Sequence, residues 1–482
     1  MKNIFYTEFW RKYYPVILCF VLMVFHFLSA YPGGMSSDSF DQYQQSISGN
    51  YNSHHPSLMS IVWSLINHIH QGPQLMLLVD LAFLWGGILL LLYADQQNKY
   101  RYLYLVIALS PNILSQSATI WKDVVFALGS FFCIATCIFF TYRQKTPPLW
   151  VIVGLLLICF YIVGVKFQAK FIAPILILFI LSVYLKTNIL IRITATSIIS
   201  VIIIYGNITL AKYFSTEGHS EQLPQFFDVA GVSVAINNDD LLPDYVKEDK
   251  NLYSFEKLKA QYTARWVDTL IFGDTRIYNS TSYPIKLQDM QSAYIKAIMY
   301  YPLIFLKHRM VNFAFLMTKT RFYRYGFIDS TEAQKHNIDI KNNHLKKAIT
   351  KYLKKYPWIL TTNLISFILI FVYLTAILTN KQSDIVNSGE FGARSDGATP
   401  ISNRRAMSDD VPNFSSIDYN PEKVILTYIV AIGLVFSVVL LFATMASDYR
   451  YYYVIRVLTL FSLPIYLKFR HGSNKFHSRV GV

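Results

Sequence analysis

The chain has 482 residues, 53% of them hydrophobic and 15% charged, with a formal net charge of +15 and a mean hydropathy of +0.33. Soluble domains carry about 25% charged residues, so this composition excludes an ordinary water-soluble fold and implies repeated burial in lipid. No nucleic-acid partner is expected.

A hydrocarbon core of about 30 Å takes about 20 apolar residues as a helix. Runs of that kind fall at 14–31, 75–93, 103–117, 124–142, 149–165, 171–185, 189–211, 358–380, 424–446 and 452–467. The runs 124–142, 149–165, 358–380 and 424–446 contain no charged residue. Lipid offers no partner to a free backbone amide, so helices are the expected form. The expected fold is an all-α polytopic membrane protein of about ten transmembrane helices, with external loops forming the site and a small external α or α+β insert. The first run is long enough to span and is followed by Pro32-Gly33-Gly34, so it reads as a retained helix, not a cleaved signal peptide. Cys19, Cys133, Cys137 and Cys159 lie inside apolar runs and suggest neither a disulfide framework nor a zinc site.

Basic residues in short loops set the expected orientation. Lys2, Arg11 and Lys12 place the N-terminus in the cytoplasm, and Lys99, Arg101, Arg143, Lys145, Lys186 and Arg192 follow on the same side. The loop after the first helix, the Lys122-Asp123 turn and the Lys166–Lys170 turn then share the external face. The expected organisation is an N-terminal transmembrane module over 1–211, with the chemistry-bearing loop at 32–57. An external domain and an interfacial helix follow over 212–356. That helix is placed at 297–318, with Lys307, His308 and Arg309 reaching water or lipid phosphate. A transmembrane helix at 357–380 leads to a disordered cytoplasmic linker at 381–423, and two helices with a basic tail close the chain over 424–482. Parity puts both termini of this multi-pass plasma (inner) membrane protein in the cytoplasm and the basic stretch 319–355 outside.

The chemistry concentrates in the first loop. Asp38 and Asp41 are three residues apart and share a face if the segment is helical. A carboxylate there suits a general base towards a hydroxyl, or an oxygen ligand for magnesium or manganese. The competing reading makes Ser36-Ser37-Asp38 a helix cap. His54-His55-Pro56 has the same ambiguity between chemistry and a turn. Asp80, inside an apolar run, reads either as an intramembrane functional group or as a boundary residue bonded to a polar neighbour.

The order first helix, Asp38-Ser39, Tyr43, then His55-Pro56-Ser57-Leu58 opening an apolar helix resembles the first external loop of the GT-C class of membrane glycosyltransferases, which use polyprenyl-phosphate-linked sugars. Their loop reads Asp-Glu, a Tyr, then Lys-Pro-Pro-Leu, so this chain departs at the second acid and at the lysine. Trp121-Lys122-Asp123 resembles that class's second-loop Asp, and Asp448-Tyr449-Arg450-Tyr451 its late Arg-Tyr motif. The resemblance implies a sugar donor on polyprenyl phosphate, a lipid or glycan acceptor, and contact with membrane lipids. It implies Asp38, Asp41 and His55 as catalytic residues, and Tyr43, His54, Lys122, Asp123, Lys166, Lys170, Arg450 and Tyr451 as substrate-binding ones. A polysaccharide polymerase, and a lipid or solute transporter or flippase, remain open as alternatives.

Overall fold

The structure, a computed structural model, describes residues 2–340, 343–390 and 420–480, with side chains over 13–340, 343–379 and 420–471. It is mostly helical, at 72%. Among the described residues, six helical stretches are long and apolar enough to cross a membrane: Tyr13–Ala30, Gln74–Ala94, Lys122–Arg143, Ile189–Phe214, Pro421–Ala443 and Tyr449–His471.

The expectation of about ten spans is therefore corrected, with six such helices among the described residues. The run 103–117 breaks into Leu103–Ala108 and Pro111–Ser117, because Pro111 starts a new helix and lacks the amide that would continue the old one. The runs at 149–165 and 171–185 form helices of 17 and 16 residues, Leu149–Val165 and Ala169–Tyr184. At 1.5 Å per residue these reach about 25 Å, short of a hydrocarbon core of about 30 Å. The run at 358–380 splits into Pro357–Leu360 and a helix that begins only at Leu364. That helix continues to Glu390, and its side chains are described as far as Thr379. Residues 391–419 of the expected linker lie outside the described residues.

The Lys122–Arg143 helix is the centre of the bundle, 83% buried over its most apolar window. It packs on Gln74–Ala94, Leu149–Val165, Ala169–Tyr184 and the Tyr453–Phe461 helix. Gly87 lets the first of these neighbours approach closely, since a Cβ there would lie 2.6 Å from Phe131. By contrast Ile189–Phe214 is only 17% buried and exposes Leu190, Ile202 and Tyr205. Such a surface suits lipid and would be a liability in water.

One end of the bundle carries the insert. Gln222–Ile236, Pro284–Tyr300 and Pro302–Thr318 enclose a second hydrophobic core around Phe226, Phe227, Leu258 and Met290. A two-residue parallel ladder joins Tyr51–Asn52 to Ser215–Thr216. Backbone bonds Val267 N to Met445 O and Ser447 N to Arg265 O, both 2.9 Å, tie the insert to the loop before the last helices. At the opposite end, Lys468 Nζ lies 2.5 Å from Asp95 Oδ2 and 2.7 Å from Glu422 Oε1.

The expected interfacial helix is corrected in its orientation. Within Pro302–Thr318, His308 and Arg309 are buried, and only Lys307 is exposed. Asp228, fully buried on Gln222–Ile236, draws them inward: its carboxylate pairs with Arg309 and lies 3.0 Å from His308 Nε2. A buried carboxylate without such partners would carry a heavy desolvation cost.

Candidate functional site

Four segments distant in sequence meet at the insert-bearing end. The turn Gly33-Gly34 runs beside 118–121, with Gly34 N donating to Ala118 O and Ile120 N to Gly34 O, both 2.8 Å. A Cβ on Gly34 would lie 2.9 Å from Thr119 Oγ1 and 3.1 Å from Gly326 Cα, so three backbones converge where only glycine fits. Met35 N donates to Phe327 O at 2.6 Å, and Arg321 bridges to Asp448 through the backbone.

The helix Ser37–Ser48 starts from this anchored turn. Its N-cap is Ser36, whose amide donates to Ser39 Oγ at 3.2 Å and whose hydroxyl accepts from Trp121 Nε1 at 2.8 Å. Asp38 is thus not the cap, and its carboxylate is used elsewhere. Arg450 Nη2 lies 2.8 Å from Asp38 Oδ2, and His55 Nε2 lies 4.0 Å from Asp38 Oδ1. Lys122 Nζ donates to His55 Nδ1 at 2.5 Å, which leaves the ring proton on Nε2, facing Asp38. Arg450 also sits 3.9 Å from Asp123 and 3.5 Å from Asp448 through Nε, a buried donor with no hydrogen-bond acceptor among the described residues. Its guanidinium lies over the Trp121 ring at 4.9 Å. Lys166 is buried and paired with Asp123, so it does not snorkel to headgroups; its ammonium stands 5.2 Å from the Tyr451 ring.

Burial raises the Asp38 carboxyl, but the charges of Arg450, Lys122 and His55 outweigh it and hold the group well below the usual carboxylate range. Burial, reinforced by Lys122, pushes His55 well below the usual imidazole value, so its ring is neutral at pH 7. Asp41 stands apart. It is exposed, accepts from Gln45 Nε2 at 2.8 Å, and is raised by partial burial.

Next to the cluster lies a cavity of about 500 Å³. Its lining mixes ionisable and polar groups, among them His54, His55, Lys122, Lys166, Lys170, Glu221, Arg309 and Tyr451, with the apolar side chains of Phe167, Leu223, Leu440 and Phe442. Asp38 stands behind His55 and Lys122, its side chain 29% exposed. Of the expected site residues the fold thus gathers Asp38, His54, His55, Lys122, Asp123, Lys166, Lys170, Arg450 and Tyr451. Tyr43 is placed elsewhere, buried against Trp63 and His336 with ring centroids at 5.1 and 5.6 Å.

Asp448, Arg321 and Asp268 complete the cluster and were absent from the expected set. Arg321 grips Asp448 with two nitrogens, at 2.8 and 3.2 Å, and reaches Asp268 of the insert at 2.7 Å. The Asp448-Tyr-Arg450 tripeptide was the available signal for the first. Arg321 was hidden in a stretch crowded with basic residues.

The carboxylates read from the sequence as oxygen ligands suited to magnesium or manganese have other partners here. Among the described residues no group of three or more His, Cys, Asp or Glu side chains is placed to hold a metal ion. Asp38, Asp123 and Asp448 face guanidinium and ammonium groups, and Asp41 turns to Gln45. Asp80 is buried in the bundle, with neither carboxylate oxygen hydrogen-bonded among the described residues. No family model, curated protein or solved structure matches the chain.

Proposed function

We propose that the protein is an integral-membrane glycosyltransferase of GT-C type, moving a sugar from a polyprenyl-phosphate-linked donor to a lipid or glycan acceptor on the extracytoplasmic face. The observation that carries this reading is a cavity lined by several cations and by apolar side chains beside a partly exposed carboxylate. A lipid-linked phosphate sugar needs that pairing: ammonium and guanidinium groups for phosphate, apolar surface for the isoprenoid.

In this reading Lys122, Lys166 and Arg450 hold the donor phosphate, with Arg450 Nε supplying an unused buried donor. The acceptor hydroxyl oxygen bonds to the anomeric carbon as the bond from that carbon to the phosphate oxygen breaks. The electron pair leaves with the phosphate, whose charge the cations stabilise. Asp38 takes the hydroxyl proton. Before the donor arrives the carboxyl is held too low to be a strong base. A bound phosphate offsets the positive field of Arg450 and Lys122, and the Asp38 carboxyl rises towards a useful range. Donor binding thereby prepares the base, and an empty site stays inert.

Purified full-length chain in nanodiscs, titrated with a polyprenyl monophosphate and with phosphatidylglycerol, tests the reading. Saturable binding of the polyprenyl phosphate is expected, weakened about tenfold to a hundredfold by Arg450→Lys, which keeps charge and loses the planar fork. Equal affinity for both lipids, or an unchanged Arg450→Lys affinity, would overturn it.

A further inference from the structure

A second cavity, of about 400 Å³, opens on the other side of the Ser37–Ser48 helix from the Asp38 cluster. Tyr43 lines it; five residues beyond Asp38 at about 100° per residue, it points about 140° away around the helix axis. Tyr31, Gln71, Gln74, His336, Asn337 and the carboxylate of Asp339 are among the residues that complete it. No lysine or arginine lines this cavity among the described residues, which separates it chemically from the phosphate-suited one.

The walls are stiff. Trp63 Nε1 donates to Gly72 O at 3.1 Å and Gly72 N to Asn67 Oδ1 at 3.3 Å, which pins the turn that carries Gln71 and Gln74. Gln74 Nε2 donates to Tyr31 Oη at 3.4 Å, leaving its buried carbonyl oxygen with no hydrogen-bond partner among the described residues. His336 stacks on Phe40, 5.6 Å between centroids and 14° between planes, and meets Tyr43 edge-on.

We propose that this cavity binds a neutral saccharide unit. Primary amides offer a donor and an acceptor side by side, matching a sugar hydroxyl that both gives and takes a hydrogen bond. Tyrosine and histidine rings present apolar faces to the C–H faces of a pyranose together with polar tips. Among the described residues the lining offers no lysine or arginine to a phosphate or a uronate, and the Asp339 carboxylate would repel either. Since it lies across a helix of about 10 Å diameter from Asp38, the site holds a sugar that does not react, one unit of a glycan acceptor. The acceptor role rests on the glycosyltransferase reading, whereas saccharide binding does not.

The test uses the full-length chain in nanodiscs, free of sugar-headed detergent, with saturation-transfer NMR and calorimetry. The probes are neutral glucan, mannan, galactan and chitin-type tetrasaccharides and an anionic galacturonate tetrasaccharide. A neutral saccharide is expected to bind saturably. Gln71→Ala, at an exposed position, and His336→Ala should each weaken it about tenfold, the scale of a lost hydrogen bond or ring contact. Melting temperature and polyprenyl monophosphate binding should stay unchanged. Absence of binding by every neutral probe, tighter binding of the galacturonate, or indifference to both substitutions would overturn the proposal. Saccharide binding without any sugar transfer would remove only the acceptor role and the glycosyltransferase reading.

Discussion

Arg450 Nη2 and Asp38 Oδ2 meet at 2.8 Å, joining the loop after the first helix to the loop before the last ones. The same guanidinium faces Asp123 and Asp448, so one cation serves three carboxylates from three segments. This shared arrangement makes the site a single electrostatic unit whose parts do not vary independently.

Asp38→Asn preserves shape and removes the basic lone pair. Sugar transfer should fall by about 10²–10⁴, while the fold persists because Arg450 keeps its contacts to Asp123 and Asp448. Ser36→Ala, by contrast, removes the true cap and should cost about 1 kcal/mol of stability. Initial rates and thermal melting of the two variants check both statements.

His55 predicts a stability that depends on pH near neutrality. Its folded value lies well below that of the unfolded chain, about 6.5. Between the two values the unfolded chain binds more protons, so His55's contribution is complete above about pH 6.5 and is lost as pH falls below it. Asp38 is also depressed, so its contribution is complete above about pH 4 and drains only below that. Melting temperatures from pH 7.5 to 5 should decline less for His55→Asn than for the parent; parallel curves would refute the assignment.

Arg321→Met leaves the buried Asp448 without its two-nitrogen grip and frees Asp268 of the insert. Because Arg321 is about one-third exposed, solvent screens part of the loss. A destabilisation of about 1–3 kcal/mol is expected, with proteolysis of the insert accelerating. Denaturant melts and limited digestion give the readout.

Fold geometry also predicts accessibility. Insertions at Asn50 and Asn238 should report from one side of the membrane, since the Tyr51–Asn52 and Ser215–Thr216 pair places their segments at the same end. An insertion at Lys99, near the Asp95–Lys468 end, should report from the other. Impermeant labelling of single cysteines at these positions would reveal any mismatch.

The helical, lipid-facing nature of the chain was plain from its apolar runs, because burial in lipid leaves a length signature that needs no partner. The number of spans was not. Ser110-Pro111 interrupts one run that hydropathy alone treats as continuous, and the 16- and 17-residue runs were counted without regard to rise per residue. Within the site, Asp38, His55, Lys122 and Arg450 were singled out by short motifs at the ends of apolar runs, and the fold brings all four together. The resemblance implies Tyr43 as a substrate-binding residue beside Asp38, whereas helical periodicity sends it to the other face. The role of Arg321 depends on Asp448 and Asp268, partners that only the folded chain brings near.

The pairing of Asp38 with Arg450 has a consequence for biogenesis. Synthesis runs from the N-terminus, so the first loop is inserted long before its guanidinium partner leaves the ribosome. Until then Lys122 and Lys166 stand among carboxylates lacking their shared cation, and the insert has no 445–449 strand of backbone to dock on. A nascent chain that stalls before the last helices is therefore a labile, site-less intermediate exposed to membrane proteases. Synthesis of the loop that carries Arg450 is thereby the step that closes the cluster.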